Sequence, residues 1–273
     1  MKFKLFLLSF LSVLQVVAQK QNFKSKSEFG LMGGGAYYIG DLNQYNHFKN
    51  SNLSLGLVYK YNVNTRLAFR ANALFGTVEA NDNQASNAVI VNRNLSFSST
   101  IYEFAAGVEF SYLPFQIGNS QYFGTAYLLT EIGVFQMNPT ADLNGDKIDL
   151  QSLGTEGQGT SLSSEAPYKK TQLTIPLGIG CKFSIGGRVT LSLEYGIRKT
   201  FTDYLDDVHA NRYVNADDLA AINGPLSAGL SNRSLDNSVY GKRGNATTKD
   251  WYVFYGAMFS IRLGGPRKCN MPR

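Results

Sequence analysis

The sequence predicts an all-β fold, an eight-stranded antiparallel transmembrane β-barrel with short periplasmic turns and long extracellular loops. Three observations predict it. Eight stretches alternate apolar residues with polar or small ones, as a strand does with lipid on one side and a packed lumen on the other. Their connections run long, short, long, short, long, short, long, the asymmetry of a bacterial outer-membrane barrel. In the register that the alternation sets, no outward position in a strand core carries Lys, Arg, Asp or Glu. A Lys or Arg at the bilayer midplane costs about 2–4 kcal/mol, whereas a soluble β-sandwich would hold charges on its exposed faces. Aromatics at 13% and 27 glycines fit the same surface.

Positions 1–18 read as a signal peptide. Lys2 and Lys4 give a positive start, Leu5 to Ala18 is nearly continuous apolar chain, and Val16-x-Ala18 offers small or short side chains for cleavage. Gln15, Gln19 and Lys20 interrupt the roughly 20 apolar residues that a membrane helix needs. The expected division is then signal peptide 1–18, barrel 19–263 and periplasmic tail 264–273. Losing Lys2 and Lys4 lowers the formal charge from +6 to +4, with the positives dispersed. No nucleic-acid stripe is present, and outer-membrane lipid is the expected surrounding. Cys181 and Cys269 make at most one pair, which is no disulfide framework.

The first strand spans Ser27–Ile39, with Phe29, Leu31, Tyr37 and Ile39 facing out and Glu28, Gly30, Met32, Gly34 and Ala36 facing a narrow lumen. A polar loop, Gly40–Asn50, follows. Leu53–Tyr61 alternates almost without fault, Asn62–Thr65 is a short turn, and Arg66–Val78 returns. Glu79–Asn94 is a long loop before Thr100–Tyr112. Leu113–Ser120, with Pro114 and Gly118, reads as a turn before Gln121–Phe135. After the loop Met137–Lys169 comes Lys170–Phe183, where Pro176 is expected to mark a bulge. Gly186-Gly187 makes the third short turn, and the seventh strand starts at Val189. The longest loop, about Phe201–Lys249, leads to Trp251–Leu263, which is expected to close the barrel against the first strand. An even strand count puts both termini on the periplasmic side.

The inward charges are mixed: Lys60, Arg66, Arg70, Lys182, Arg198 and Arg262 against Glu28, Glu103, Glu109, Glu131 and Glu194. Eight strands enclose an interior just filled by side chains, and a lone buried charge is costly. The set therefore predicts a salt-bridged plug rather than an ion path.

Three loop segments carry residue types that could do chemistry. Asp203-Tyr204-Leu205-Asp206-Asp207-Val208-His209 places three carboxylates beside one of two histidines. Such a pair could activate water, but no Ser or Cys nucleophile accompanies it, and a hydrogen-bonded cap at the barrel rim is the preferred reading. Asp142-Leu143-Asn144-Gly145-Asp146-Lys147-Ile148-Asp149 has alternating oxygen ligands, yet Lys147 stands where a calcium loop needs glycine, and Leu153 where it needs Glu. Gly154-Thr155-Glu156-Gly157-Gln158-Gly159 lacks the Lys-Ser/Thr ending of a phosphate loop. Neither a catalytic residue nor a metal or cofactor is assigned.

Four segments together carry a family resemblance. They are Gly34–Asn43, Leu150–Gly159, Thr202–Val208, and Arg243-Gly244 with Asp250-Trp251-Tyr252. Over its mature length the chain resembles the PorG-like (DUF6089) outer-membrane proteins of Bacteroidetes. The resemblance implies a component of the type IX secretion system, which also supports gliding motility in some species. It implies a non-enzymatic anchor associated with a periplasmic ring made of a lipoprotein and its partner protein, and not the translocation pore. The tail, with Arg267, Lys268 and Cys269, is the expected contact, Cys269 being available for an intermolecular disulfide. The alternatives are a structural or adhesion barrel with ligand-binding outer loops, and a barrel hydrolase.

Overall fold

A computed structural model describes residues 26–264. Eight strands form a closed antiparallel barrel: β1 (Lys26–Ile39), β2 (Ser51–Asn62), β3 (Leu67–Asn81), β4 (Ser96–Ser111), β5 (Gly124–Gln136), β8 (Thr171–Ile185), β9 (Val189–Thr200) and β10 (Trp251–Arg262). Each pairs with its sequence neighbour, and β1 pairs with β10 from Glu28↔Arg262 to Ile39↔Trp251. Closure removes the free edges that an open sheet would present. Where β1 and β10 meet, a Cβ on Gly34 would lie 1.9 Å from the Tyr255 carbonyl oxygen, so only glycine fits.

Alternation settles the two faces. Along β5 the side chains switch between buried and exposed at every step, and Leu128, Ile132 and Val134 are exposed while Tyr127, Leu129 and Glu131 are buried. Two charges do face outward in the barrel strands, Glu79 and Lys199. Both stand near the loop end, clear of the mid-wall where a charge costs most.

The structure corrects several boundaries. Pro176 makes no bulge: the β5–β8 register is the same on both sides of it, at Thr130↔Leu177 and Gly133↔Thr174, and the ladder skips the intervening pairs. Proline lacks the N–H that would bond there. An irregularity lies instead between Ser51 and Ser54 of β2. β3 and β4 continue beyond the expected ends, pairing up to Asn81↔Ser96. The third loop contains a hairpin of β6 (Pro139–Leu143) and β7 (Asp146–Asp149), tied to β4 at Ser98↔Thr140.

Among the described residues, four short α-helices sit in the loops: α1 (Ala88–Arg93), α2 (Leu150–Leu153), α3 (Ala216–Asn223) and α4 (Pro225–Ser231). Their neighbourhood is a second core above the lumen. Leu42, Leu95, Leu150, Tyr168, Leu205, Val208 and Leu230 pack continuously with Tyr38, Phe135 and Tyr252 of the barrel. At the other end, the Leu113–Ser120 turn folds inward. Phe115 and Ile117 are buried there, with the Lys182 ammonium 4.7 Å from the Phe115 ring centroid. Both mouths of the barrel are therefore covered by the chain itself.

Candidate functional site

Two polar clusters follow from this architecture, one in the lumen and one in the cap over the loop end. In the lumen, Arg70 is the hub. It makes a bidentate pair with Glu194, lies 3.4 Å from Glu131 and 3.8 Å from Glu109. Glu109 also takes Lys60 at 2.7 Å and Lys182 at 2.6 Å. Arg198 reaches Glu103 at 3.2 Å, and the Tyr252 hydroxyl donates to the same carboxylate at 2.9 Å. Asn72 donates to both oxygens of Glu131, at 2.7 and 2.8 Å. Glu28 accepts from Asn62 and Ser260. Four cations thus meet acids from facing strands, and that mutual neutralisation is what lets them stay buried.

Two residues expected in this network stand apart from it. Arg66 precedes β3 rather than opening it, so the strand's alternation does not govern it. It is exposed, and its guanidinium donates to the Tyr112 carbonyl at 2.5 Å. Arg262 does face inward, but at the turn-end mouth, where it lies 3.5 Å from the Ile117 carbonyl oxygen.

The cap is built from all four long loops. The Tyr38 hydroxyl lies 2.6 Å from Asp206 Oδ2 and 2.8 Å from Asp250 Oδ1. The Leu205 amide donates to Asp250 and the Val208 amide to Asp206, each at 2.9 Å. Asp207 accepts from Thr155 and from the Tyr168 hydroxyl, at 2.5 and 2.6 Å. Glu156 accepts the His209 and Ala210 amides and pairs with the Arg243 guanidinium. Arg93 clamps Asp82 with two bonds and reaches the carbonyls of Arg243 and Asp41. Asp41 in turn accepts the Asn245 amide at 2.8 Å.

Burial sets the protonation of this group. It pushes Asp207 up to about 6, against the pull of Arg243 and its hydroxyl donors. Burial likewise pushes Asp203 up to about 6, although its hydrogen bond with His209 (2.8 Å) opposes the shift. Asp206 and Asp250 are raised well above the usual carboxylate range by burial and by the neighbouring carboxylates. Asp41 is raised by burial. One tyrosine O–H facing two carboxylates can donate to only one of them, and a protonated second carboxyl can donate to the phenol oxygen instead.

Segments far apart in sequence therefore converge here. Asp41, Thr155, Glu156, Asp203, Asp206, Asp207, Arg243 and Asp250 form one buried assembly. Its carboxylates are committed to amides, hydroxyls and guanidinium groups, which suits a brace for the loops. A family model described as a domain of unknown function, DUF6089, matches residues 4–271. The chain belongs to the DUF6089 family.

No curated protein matches the chain. Solved structures similar to it include Neisserial surface protein A, at 10% identity and a TM-score of 0.44, covering 88% of this chain and 100% of that one. Another is Ail, the attachment invasion locus protein of Yersinia pestis, crystallised with the heparin analogue sucrose octasulfate. It shows 9% identity and a TM-score of 0.42 over 88% of this chain and 100% of that one. OprG from Pseudomonas aeruginosa covers 90% of this chain and 100% of its own, at 9% identity and a TM-score of 0.39.

The remaining sequence candidates of this DUF6089 chain fall elsewhere. The Asp142–Asp149 run, with its alternating oxygen ligands, is the β6–β7 hairpin, with Asn144 and Gly145 at positive φ in its turn. That is the Asn-Gly signature of a two-residue hairpin, and Asp149 pairs with Lys170. His47 bonds to Tyr37 and Tyr195 on the outside of the barrel. Cys181 is a free, half-buried thiol on the outward wall. Arg267, Lys268 and Cys269 lie outside the described residues. Sequence reasoning missed Arg93 and Asp82; Asp82 follows an Asn cap in a polar loop, which only hinted at local order.

Proposed function

We propose that this outer-membrane β-barrel is a non-enzymatic component of the type IX secretion system. It would anchor, or associate with, the periplasmic ring lipoprotein and its partner. The observation that carries the reading is a barrel closed at both ends, by the loop cap and by Phe115 and Ile117. Such a body suits a fixed anchor better than a conduit, and family membership favours the same role.

The short turns would then face the periplasm, with both termini. Their chemistry supports a docking role. The turn-end segments 62–66, 112–123, 184–188 and 262–273 contain no Asp or Glu, and carry Arg66, Arg188, Arg262, Arg267, Lys268 and Arg273. A basic, acid-free face suits an acidic partner surface, and the sequence after β10 adds Arg267, Lys268 and Cys269.

The genetic test is deletion of the chain in its host. Loss of protein secretion with an intact outer membrane is expected, and normal secretion would refute the reading. A second reading, an adhesion barrel, is favoured by Tyr45, Leu235 and Tyr240, which are 85%, 67% and 57% exposed on the outer loops. It predicts instead that loop deletions abolish function while tail deletion does not.

A further inference from the structure

The outward wall over β5, β8, β9 and β10 is not evenly covered. The register places Tyr112, Ala126, Cys181, Leu193 and Ala257 side by side in one row across the strands. The adjacent row holds Phe110, Leu128, Ile179, Tyr195 and Tyr255. Small residues at Ala126 and Cys181, with Gly180 and Gly256 beneath, leave a hollow of about 790 Å³ between the bulky ones. Its lining is almost wholly apolar.

Phe48 closes the upper end. The first loop folds down the outside of the barrel and seats this ring 5.3 Å from Tyr37 and 5.0 Å from Tyr255. Phe48 does so at φ 62°, a left-handed conformation that is a genuine outlier for a bulky residue. Strain of this kind persists where the surroundings hold it, and it clusters at ligand clamps.

Polar groups gather just there, on the outward face. The Tyr37 hydroxyl lies 2.6 Å from that of Tyr195 and 2.8 Å from His47 Nδ1. Four residues further along β9, on the same face, Lys199 stands with its ammonium 5.4 Å from the Trp251 ring centroid. Lys199 is the one basic residue on the outward face of the barrel strands, among the described residues.

We propose that this trough holds an acyl chain of a phosphate-bearing membrane lipid, clamped under Phe48, with its headgroup at His47 and Lys199. The proposal rests on the barrel spanning a membrane, since the trough then lies inside the lipid phase. An apolar hollow continuous with the lipid-facing wall takes hydrocarbon, and Lys199, four residues beyond the lining residue Tyr195 on the same outward face, offers a cation to a phosphate.

The test is native mass spectrometry of the full chain extracted from its outer membrane in mild detergent. The wild type is expected to retain one phosphate-bearing lipid. Filling the trough with Ala126→Phe and Cys181→Phe should cut retention at least about tenfold, as should Lys199→Gln, which leaves the wall intact. Leu57→Phe, on the opposite wall, should retain as the wild type does. No lipid on the wild type, or undiminished retention in either the filled or the Lys199→Gln variant, overturns the proposal. A chain that fails to fractionate with the outer membrane would instead refute the membrane reading.

Discussion

Arg243 of the fourth long loop is buried against Glu156 of the third, across 87 positions of sequence. The same guanidinium also donates to the carbonyls of Ser231 and Asp207, each at 3.2 Å. This pair is one of the contacts that join the loops into one cap, with Thr155–Asp207 and Asn245–Asp41. Removing one partner leaves a buried charge uncompensated, a loss of about 3–5 kcal/mol. Arg243→Ala should therefore open the loops to external protease on intact cells, while the barrel keeps its heat-modifiable migration. Unchanged protease resistance would count against the brace.

The cap should be tightest in acid. Asp203 and Asp207 rise from 3.8 to about 6 on folding. A carboxyl whose folded pKa is raised binds its proton more tightly in the folded state. Its contribution is thus complete below the unfolded value and is lost as pH rises through the folded one. Asp206 and Asp250 shift in the same direction. Proteolytic clipping of the fourth loop should accelerate as pH rises from about 4 to about 7. Clipping that slows over this range would contradict the assignment.

In the lumen, Glu109→Gln strips Lys60 and Lys182 of their shared partner. The expected cost is about 3–5 kcal/mol, read as a lower urea midpoint for the barrel. Arg66→Ala is the contrast. This exposed residue at a turn should cost under about 1 kcal/mol.

If Cys269 joins the partner covalently, non-reducing electrophoresis of whole cells should show a heavier band that disappears in Cys269→Ser. Mobility that is the same with and without reductant would remove the covalent contact and leave the basic face to act alone.

The barrel was legible because its signal repeats. A period of two, charges kept off one face, and long connections alternating with short ones each report the same fold, and β10 closes on β1 as the last strand's pattern required. Arg66 departs from the inward set because it precedes β3, and the strand's alternation does not reach it. The cap was legible only as pieces. Tyr38 meets Asp250 across 212 positions and Thr155 meets Asp207 across 52, and no periodicity links loops so far apart. Pairing of this kind depends on the barrel bringing the loop bases together. Arg93 gave no sign at all, since a single arginine in a polar loop reads as solvated until Asp82 is seen beneath it.

The central claim is association with a periplasmic assembly through the turn end. The most direct test is a pull-down of the tagged chain from mild-detergent outer membranes, with partners identified by mass spectrometry. The account predicts recovery of the ring lipoprotein and its partner, lost on deleting residues 264–273. A folded barrel recovered without those partners, or with partners indifferent to the deletion, would contradict it.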